Sequence, residues 1–178
     1  VTVRVGINGF GRIGRNILRA IIENKRSDIS IVAINDLGPV ETNAHLLKYD
    51  SIHGKFPHEI TVDGETIDAG TGPIKVTAVK NPEDLPWADV DIAFECTGIF
   101  NKKETASRHL ENGSKKVLVS APCKNADKTI VFGVNHKTLT ENDVIVSNAS
   151  CTTNCLAPVV KVLHENLGII RGFMTTVH

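Results

Sequence analysis

A glycine loop between a strand pattern and a helix pattern most constrains how this chain can fold. The loop, residues 9–14, has the sequence GFGRIG and follows a short apolar run at residues 3–7. It opens a segment, residues 12–24, with apolar side chains at helical spacing, and a second apolar run covers residues 29–34. Because a helix joins the two predicted strands, they must lie parallel, with a right-handed crossover. The start of the chain is therefore predicted to be a β-α-β unit.

Strand and helix patterns alternate along the rest of the chain. Pro39 is predicted at the first position of a second helix, and Asp63-Gly64 predicts a two-residue hairpin turn. The pattern predicts a third strand of this antiparallel patch at residues 74–79 and a helix at 103–112, with buried strands at 91–95, 116–120, 130–132 and 144–147. A helix at 151–167 and a strand at 169–178 close the chain. We therefore predict an α/β fold with a doubly wound, mostly parallel sheet of the Rossmann type and a small antiparallel insertion.

Charge and composition favour a protein with small-molecule partners. Twenty basic residues balance twenty acidic ones, so no global field attracts nucleic acid or an anionic membrane. The apolar runs are shorter than the roughly 20 residues that span a bilayer, and the first residues lack a secretory pattern. We expect a cytoplasmic protein. The four cysteines are too few and too scattered for a disulfide framework and are expected as free thiols: Cys96, Cys123, Cys151 and Cys155.

The glycine loop and the acid that follows it predict a dinucleotide site. Gly9 permits the tight turn, Gly11 lets backbone approach a pyrophosphate, and Gly14 allows close packing of helix on strand. Asp36 ends the second predicted strand, where a carboxylate accepts hydrogen bonds from both ribose hydroxyls and disfavours a 2′-phosphate, so NAD is the expected cofactor. An ordinary glycine-rich turn and a strand-end turn former are the alternatives.

Thr97 and Ser120 follow two further predicted strands. Doubly wound sheets bind ligands at the carboxyl ends of their strands, so both residues are candidate contacts, although plain loop positions are equally compatible with the sequence.

Cys151 is the candidate nucleophile because it lies in the first turn of the predicted helix at 151–167. Unpaired N–H groups and the helix dipole stabilise a thiolate there, and the hydroxyls of Ser150 and Thr152 suit either capping or anion binding. His178 is a candidate general base. Cys155, one turn further on, is expected to be a small buried residue. A metal site is not predicted, because no further soft ligands lie near these two thiols in the sequence.

Several motifs together resemble the glyceraldehyde-3-phosphate dehydrogenase family over the whole chain. The most specific is the nine-residue stretch around the candidate nucleophile, which follows the dinucleotide loop in the expected order. The motifs are Asn8 to Gly14, Asn35-Asp36, Tyr49-Asp50-Ser51, His53-Gly54, Glu95-Cys96-Thr97-Gly98, Ser120-Ala121-Pro122, Ser147-Asn148-Ala149-Ser150-Cys151-Thr152-Thr153-Asn154-Cys155 and His178.

The resemblance implies a phosphorylating oxidation of D-glyceraldehyde 3-phosphate to 1,3-bisphosphoglycerate, with NAD and inorganic phosphate. It implies a homotetramer, an NAD-binding domain at residues 1–150, and the opening of an α+β catalytic domain at 151–178, with the remainder missing. Cys151 would be the nucleophile and His178 its base, while Ser150 and Thr152 would hold phosphate. The implied cofactor contacts are Gly9, Phe10, Gly11, Arg12, Ile13, Gly14, Asp36, Lys80, Thr97 and Ser120, of which Lys80 replaces an arginine common in relatives.

Other functions remain open at this point. An erythrose-4-phosphate dehydrogenase would share most of these motifs, and the chain alone could be an NAD-binding module without turnover. A cysteine hydrolase on an α/β sheet leaves Asp36 unexplained. An aspartate-semialdehyde dehydrogenase also joins a glycine loop to a cysteine, but the run from Ala149 to Cys155 speaks against it.

Overall fold

The computed structural model describes residues 2–177, with eleven strands, five α-helices and two short 3-10 helices among them. The candidate base His178 lies outside the described residues. The strands are β1 (Val3–Asn8), β2 (Ile29–Asn35), β3 (Tyr49–Asp50), β4 (Gly54–Lys55), β5 (Thr61–Asp63), β6 (Thr66–Asp68), β7 (Pro73–Thr77), β8 (Ile92–Glu95), β9 (Lys116–Val119), β10 (Lys128–Thr129) and β11 (Ile145–Ser147). The α-helices are α1 (Arg12–Glu23), α2 (Val40–Lys48), α3 (Lys103–Ala106), α4 (Arg108–Glu111) and α5 (Cys151–Leu167), and the 3-10 helices are Pro82–Asp84 and His136–Thr138.

Nine strands form one sheet in the order β10-β11-β9-β8-β1-β2-β7-β6-β5. The strands from β10 to β7 run parallel to one another, whereas β6 pairs antiparallel with β7 and β5 pairs antiparallel with β6. From β1 the chain winds outward first through β2 and later through β8 on the other side. This confirms the doubly wound, mostly parallel sheet with a small antiparallel insertion. The direction of winding changes between β1 and β8, which is where such sheets bind ligands.

Apolar side chains pack on both faces of the sheet. Val5 and Ile7 of β1 belong to one buried cluster with Phe10 and Leu18, so the start of α1 is anchored directly on the central strand. Gly6, which lies between them, faces Trp87 of the second cluster, and a Cβ at Gly6 would lie 2.9 Å from the indole. The central strand is therefore buried on both faces, as its continuous apolar run predicts.

A predicted helix start and a predicted hairpin turn each differ from the structure by one residue. Pro39 is the N-cap of α2, not its first helical residue. The hairpin turn between β5 and β6 consists of Gly64 and Glu65, so Asp63 is still paired in the strand. Gly64 is the turn residue with positive φ, 56°, and this conformation belongs at the first central position of a two-residue turn.

The predicted helix at 103–112 is divided at Ser107. The Ser107 hydroxyl donates to the Lys103 carbonyl at 2.6 Å, and the Leu110 N–H bonds to the Ser107 carbonyl, three residues back. A side-chain bond of this kind competes with the regular helical ladder and bends it. The result is two short helices, α3 and α4, in place of one.

Two predicted strands are absent from the structure. At residues 130–132 the ladder ends after the Ile130 N–H bonds to Ser147, because the Asn135 side chain accepts the Val131 N–H and turns the chain. Residues 169–177 form no ladder with any strand of the described chain and have no regular secondary structure, with Phe173 fully exposed. An apolar pattern alone cannot supply the neighbouring strand that a ladder needs.

Helix α5 lies on the surface of the described chain. None of its residues is buried within residues 2–177, and its exposed apolar side chains include Val159, Val162 and Leu167. Cys155 is exposed as well, so the expectation of a buried thiol is wrong for this chain. No helix among the described residues is both long and apolar enough to cross a membrane.

Candidate functional site

Two glycines of the loop are required by close contacts. Gly9 has φ 89°, and a Cβ there would lie 2.7 Å from the backbone nitrogen of Thr97. A Cβ on Gly14 would lie 2.3 Å from the Gly9 carbonyl oxygen and 2.9 Å from Ile7. Both distances are far below van der Waals contact. Glycine at position 9 therefore lets the loop approach the chain that follows β8, and glycine at position 14 lets α1 approach β1.

The third glycine leaves open space at the start of α1. Gly11 is the N-cap residue, no side chain of the described residues caps the helix, and a Cβ on Gly11 would meet no atom within 4 Å. The first N–H groups of a helix have no partner within it and lie at its positive dipole end. The start of α1 is therefore an uncovered anion site that fits a pyrophosphate. Phe10 is fully buried, so its side chain lies in the core and not at this site.

Asp36 lies next to this loop, at the end of β2. One carboxylate oxygen accepts the Phe10 N–H at 2.8 Å, and the other accepts the Gly38 N–H at 2.9 Å. A carboxylate has about four lone-pair positions, so each oxygen retains one acceptor position. These two positions suit the two neighbouring hydroxyls of a ribose. The backbone bonds also fix the carboxylate against the glycine loop.

A cavity of about 310 Å³ joins these groups into one groove. It lies along the carboxyl ends of β2, β1 and β8, and the exposed Lys80 forms part of its wall. Five predicted cofactor residues line it together: Gly9, Gly11, Asp36, Lys80 and Thr97. The groove runs past the uncovered start of α1, so it fits the adenosine and pyrophosphate of a dinucleotide.

Thr97 and Arg12 are both engaged by neighbouring acids. The Thr97 hydroxyl and N–H donate to one oxygen of Glu95, the N–H at 2.8 Å. The Arg12 guanidinium forms an ion pair with Asp50 at 3.1 Å. Two backbone N–H bonds, reinforced by Arg12, hold the pKa of Asp50 at about 2. The hydroxyl and the N–H of Thr97 and part of the Arg12 guanidinium therefore have partners within the protein.

Cys151 lies in a second cavity, of about 390 Å³. It is the exposed first residue of α5, and the preceding Ser150 is the N-cap, whose hydroxyl oxygen accepts the Thr153 N–H at 3.0 Å. Four predicted site residues line this cavity together: Ile13, Ser120, Ser150 and Cys151. Thr152 follows in the first turn of α5. The structure therefore brings the candidate nucleophile to the start of a helix, beside residues of the predicted cofactor site.

The turn before Cys151 is anchored in the core of the sheet. Ala149 is buried and has φ 58°, a left-handed conformation that is uncommon for residues other than glycine. Its N–H donates to the Ser147 hydroxyl oxygen at 3.1 Å, and that hydroxyl donates to the Ala121 carbonyl at 2.9 Å. Backbone strain of this kind persists where surrounding contacts enforce it, and it is common at functional sites.

Cys96 forms the wall between the two cavities and lines both. Burial raises the pKa of its thiol to about 12, although a hydrogen bond from Ser120 opposes this effect. Cys96 is therefore a neutral packing group near neutral pH. The sequence shows Cys96 and Cys151 at strand or helix ends, and only the structure separates the partly buried thiol of Cys96 from the exposed one of Cys151.

Sequence reasoning overlooked a set of buried polar side chains beneath the first cavity. They are Asn8, Asn35, Glu95 and His109, each at most 4 % exposed. A signal was available for three of them, since Asn8, Asn35 and Glu95 each end a buried strand. His109 gave no such signal. Among residues 2–177 no group of three or more His, Cys, Asp or Glu side chains is placed to hold a metal.

Comparisons with known proteins agree with this arrangement. Residues 3–103 match the family model "Glyceraldehyde 3-phosphate dehydrogenase, NAD binding domain", and residues 150–178 match that of the C-terminal domain of the same family. The whole chain is 68% identical to 54% of a glyceraldehyde-3-phosphate dehydrogenase of Cereibacter sphaeroides. It is 65% identical to 54% of one from Xanthobacter flavus and 55% identical to 53% of one from Geobacillus stearothermophilus. The chain thus spans about half the length of the curated relatives it matches.

Proposed function

Because the chain belongs to the glyceraldehyde 3-phosphate dehydrogenase family, we propose that the full-length protein oxidises D-glyceraldehyde 3-phosphate to 1,3-bisphosphoglycerate. NAD would be the oxidant and inorganic phosphate the second substrate. The observation that carries this proposal is the position of Cys151 at a helix start, in a cavity that shares the lining residue Cys96 with the dinucleotide groove. A thiol nucleophile beside a dinucleotide site suits oxidation of an aldehyde through a covalent thioester.

NAD would lie across both cavities. The N–H groups at the start of α1 would bind its pyrophosphate, and the two remaining acceptor positions of Asp36 would bind the adenosine ribose. Lys80 and Thr97 would border the adenosine part, and Ile13 and Ser120 the nicotinamide part. When bound, NAD supplies the acceptor for the hydride that leaves the substrate.

Cys151 would carry the covalent chemistry. Its thiolate adds to the aldehyde carbon, and the backbone N–H at the start of α5 supports the oxyanion. His178, which holds the proton taken from the Cys151 thiol, would return it to this oxyanion and give the hemithioacetal hydroxyl. His178 would take that proton back as the hydride leaves the same carbon for the bound cofactor, and the carbon–oxygen double bond that forms leaves a thioester. Inorganic phosphate then attacks the thioester carbon, the carbon–sulfur bond breaks, and the acyl phosphate leaves with the Cys151 thiolate restored.

Ser150 and Thr152 would hold phosphate beside the nucleophile. The Ser150 oxygen already accepts the Thr153 N–H at 3.0 Å. The Ser150 hydroxyl also lies 2.8 Å from the Thr153 hydroxyl. With Thr153 as the donor in that pair, the Ser150 hydrogen can be donated to a phosphate oxygen, since a hydroxyl is both donor and acceptor. Capping and phosphate binding are therefore compatible at this residue.

The proposal extends to organisation and location. Residues 1–150 would form the NAD-binding domain and residues 151–178 the opening of the catalytic domain. This division is supported by the two family matches and by the exposed apolar side chains of α5. The full-length protein would be a cytoplasmic homotetramer, for which the balanced charge and the family resemblance are the support.

The test is a Cys151→Ser variant of the full-length protein. Aldehyde- and phosphate-dependent NADH formation should fall at least about 1000-fold, because a serine hydroxyl is a far weaker nucleophile than a thiolate. NAD affinity measured by calorimetry should stay within about twofold of the parent's. Cys155→Ser is the matched control, since it makes the same change one helical turn away and should keep the rate. A Cys151→Ser variant with undiminished turnover would overturn the proposal.

Two alternatives are separated by assays on the parent. Comparing kcat/KM for glyceraldehyde 3-phosphate and for erythrose 4-phosphate decides between the two dehydrogenases. An NAD-binding module without turnover is favoured for residues 1–178 alone, because they span only 54% of the most similar relatives named above. NAD binding without NADH formation by this chain, together with turnover by the full-length protein, is the result we expect.

A further inference from the structure

A row of buried polar side chains crosses the carboxyl ends of three neighbouring strands, β2, β1 and β8, and reaches helix α4. Asn35 bonds to Asn8 at 2.8 Å, Asn8 bonds to Glu95 at 2.7 Å, and Glu95 bonds to His109 at 2.8 Å. Buried polar groups of this kind must find partners inside the protein, so each bond constrains the next. We refer to Asn35, Asn8, Glu95 and His109 as the strand-end network.

Backbone groups fix the direction of the hydrogen bonds at one end of this network. The Val79 N–H donates to Asn35 Oδ1, and Asn35 Nδ2 donates to the Val79 carbonyl, both at 2.8 Å. The Asn35 amide can satisfy both groups in one orientation only. Its Nδ2 must then also donate to Asn8 Oδ1, which turns Asn8 Nδ2 toward Glu95 Oε2.

The other end of the network is fixed by Thr97. Its backbone N–H donates to Glu95 Oε1 at 2.8 Å, and its hydroxyl donates to the same oxygen. Glu95 Oε2 accepts a hydrogen bond from Asn8 Nδ2 and lies 2.8 Å from His109 Nε2. Because a carboxylate has no proton to donate, the His109 ring must carry its proton on Nε2 to bond to it. Asn8, Thr97 and His109 then all act as donors to Glu95. A carboxylate satisfies this arrangement, whereas a glutamine amide would place a donor against a donor.

The same residues border the dinucleotide groove. Asn8, Asn35, Val79 and Thr97 all line the first cavity, and Asn8 directly precedes Gly9. Because a Cβ on Gly9 would lie 2.7 Å from the Thr97 nitrogen, the two loops are in close contact at this point. A shift of Thr97 or Asn8 would therefore alter the groove where the direction of sheet winding changes.

We propose that Glu95 is a positioning residue for the dinucleotide: its carboxylate, as the common acceptor of the strand-end network, holds Thr97 and the glycine loop in their binding positions. It acts through Asn8 and Thr97 without itself lining the groove. The requirement for glutamate, as opposed to glutamine, follows from the fixed direction of the hydrogen bonds. This inference rests on the proposed NAD site and concerns what shapes it.

The test is a reciprocal exchange of the carboxylate and the amide in the full-length protein. Glu95→Gln places a donor against the donor Nδ2 of Asn8, and Asn8→Asp places a second carboxylate against Glu95. The double variant Asn8→Asp/Glu95→Gln reverses that one bond while Asn35 and Thr97 keep theirs. The new amide at position 95 can also donate to His109 if the ring proton moves from Nε2 to Nδ1, a buried atom without a hydrogen-bond partner among the described residues. Glu111→Gln is the matched control, an identical change at an exposed position on the neighbouring helix α4.

Calorimetry should show NAD dissociation constants raised about tenfold or more in each single variant, the order expected for a buried group left without a partner. The double variant should bind within about threefold of the parent, and Glu111→Gln should match the parent. Nitrogen NMR of His109 should place the proton on Nε2 in the parent and on Nδ1 in the double variant. A merely space-filling role would give neither the recovery of binding nor the tautomer change.

Parent-like NAD binding by Glu95→Gln would overturn the proposal, and so would a double variant no better than the weaker single one. If a single variant does not fold, a folded double variant with its proton still on Nε2 of His109 would also overturn it. None of these readouts requires aldehyde oxidation. A parent that binds NAD without turnover would refute the proposed reaction and leave this test intact.

Discussion

Replacing Gly14 with alanine tests whether the contact between α1 and β1 stabilises the fold, separately from any contact with the dinucleotide. The added Cβ would lie 2.3 Å from the Gly9 carbonyl oxygen, so helix and loop would have to separate by about 1 Å to reach ordinary contact. Gly11→Ala is the matched control. It adds the same methyl group in the same loop, but into space with no atom within 4 Å.

The structure sets the expected magnitude for Gly14→Ala. Forced overpacking costs about 1–3 kcal/mol, and it is opposed by the gain of about 1 kcal/mol for alanine over glycine inside a helix. Because the clash involves backbone atoms that cannot rotate away, we place the overpacking near its upper limit. The net loss in free energy of unfolding should be about 2 kcal/mol. For Gly11→Ala, at the N-cap, the loss should be about 0.5 kcal/mol.

Urea denaturation of the full-length protein without cofactor, followed by circular dichroism, measures the stabilities, and calorimetry measures NAD affinity. Gly14→Ala should lose stability and NAD affinity together. Gly11→Ala should keep nearly full stability and lose NAD affinity at least about tenfold, because its methyl group occupies the space expected for the pyrophosphate. Equal stability of the two variants would refute the packing argument, and unchanged NAD binding by Gly11→Ala would refute the placement of the pyrophosphate.

Three further predictions follow from single contacts. Asp36→Asn should weaken NAD binding about tenfold in calorimetry. The Phe10 and Gly38 N–H groups each bond to one carboxylate oxygen of Asp36, whereas an asparagine amide has only one oxygen that can accept hydrogen bonds. The folded state keeps the Cys96 proton up to a pKa of about 12, whereas the ordinary value is 9.0. The stability contributed by this thiol should therefore be full below about pH 9 and be lost as the pH rises toward 12, and an alkylating reagent near neutral pH should modify Cys151 well before Cys96. Ser150→Ala should cost about 1 kcal/mol in thermal unfolding through the lost cap.

The sequence was sufficient to predict the sheet and the cofactor edge because both depend on local patterns. A glycine loop between a strand and a helix has few possible geometries, and a carboxylate ending the next parallel strand must lie beside it. The predictions failed where the outcome depended on distant partners. Residues 130–132 are apolar enough for a strand, yet the Asn135 side chain ends the ladder. Residues 169–177 carry a strand pattern without a neighbouring strand among the described residues.

The strand-end network was also predictable only in the part that follows from strand pairing. Asn8 and Glu95 are paired in the parallel register of β1 and β8, and Asn8 and Asn35 in that of β1 and β2. Their proximity could have been inferred once the strand order was known. His109 could not, because its approach to Glu95 depends on how α4 packs against the sheet.

The left-handed backbone at Ala149 couples the candidate nucleophile at the start of α5 to the sheet of the proposed cofactor site. Its buried methyl group and its bond to Ser147 tie the first turn of α5 to β11, so the candidate nucleophile follows the motions of the cofactor sheet. The distance from Cys151 to a nicotinamide bound on the cofactor sheet would then be set by this short connection. A rearrangement further along α5 would change the surroundings of the reacting groups and leave the geometry of hydride transfer nearly the same.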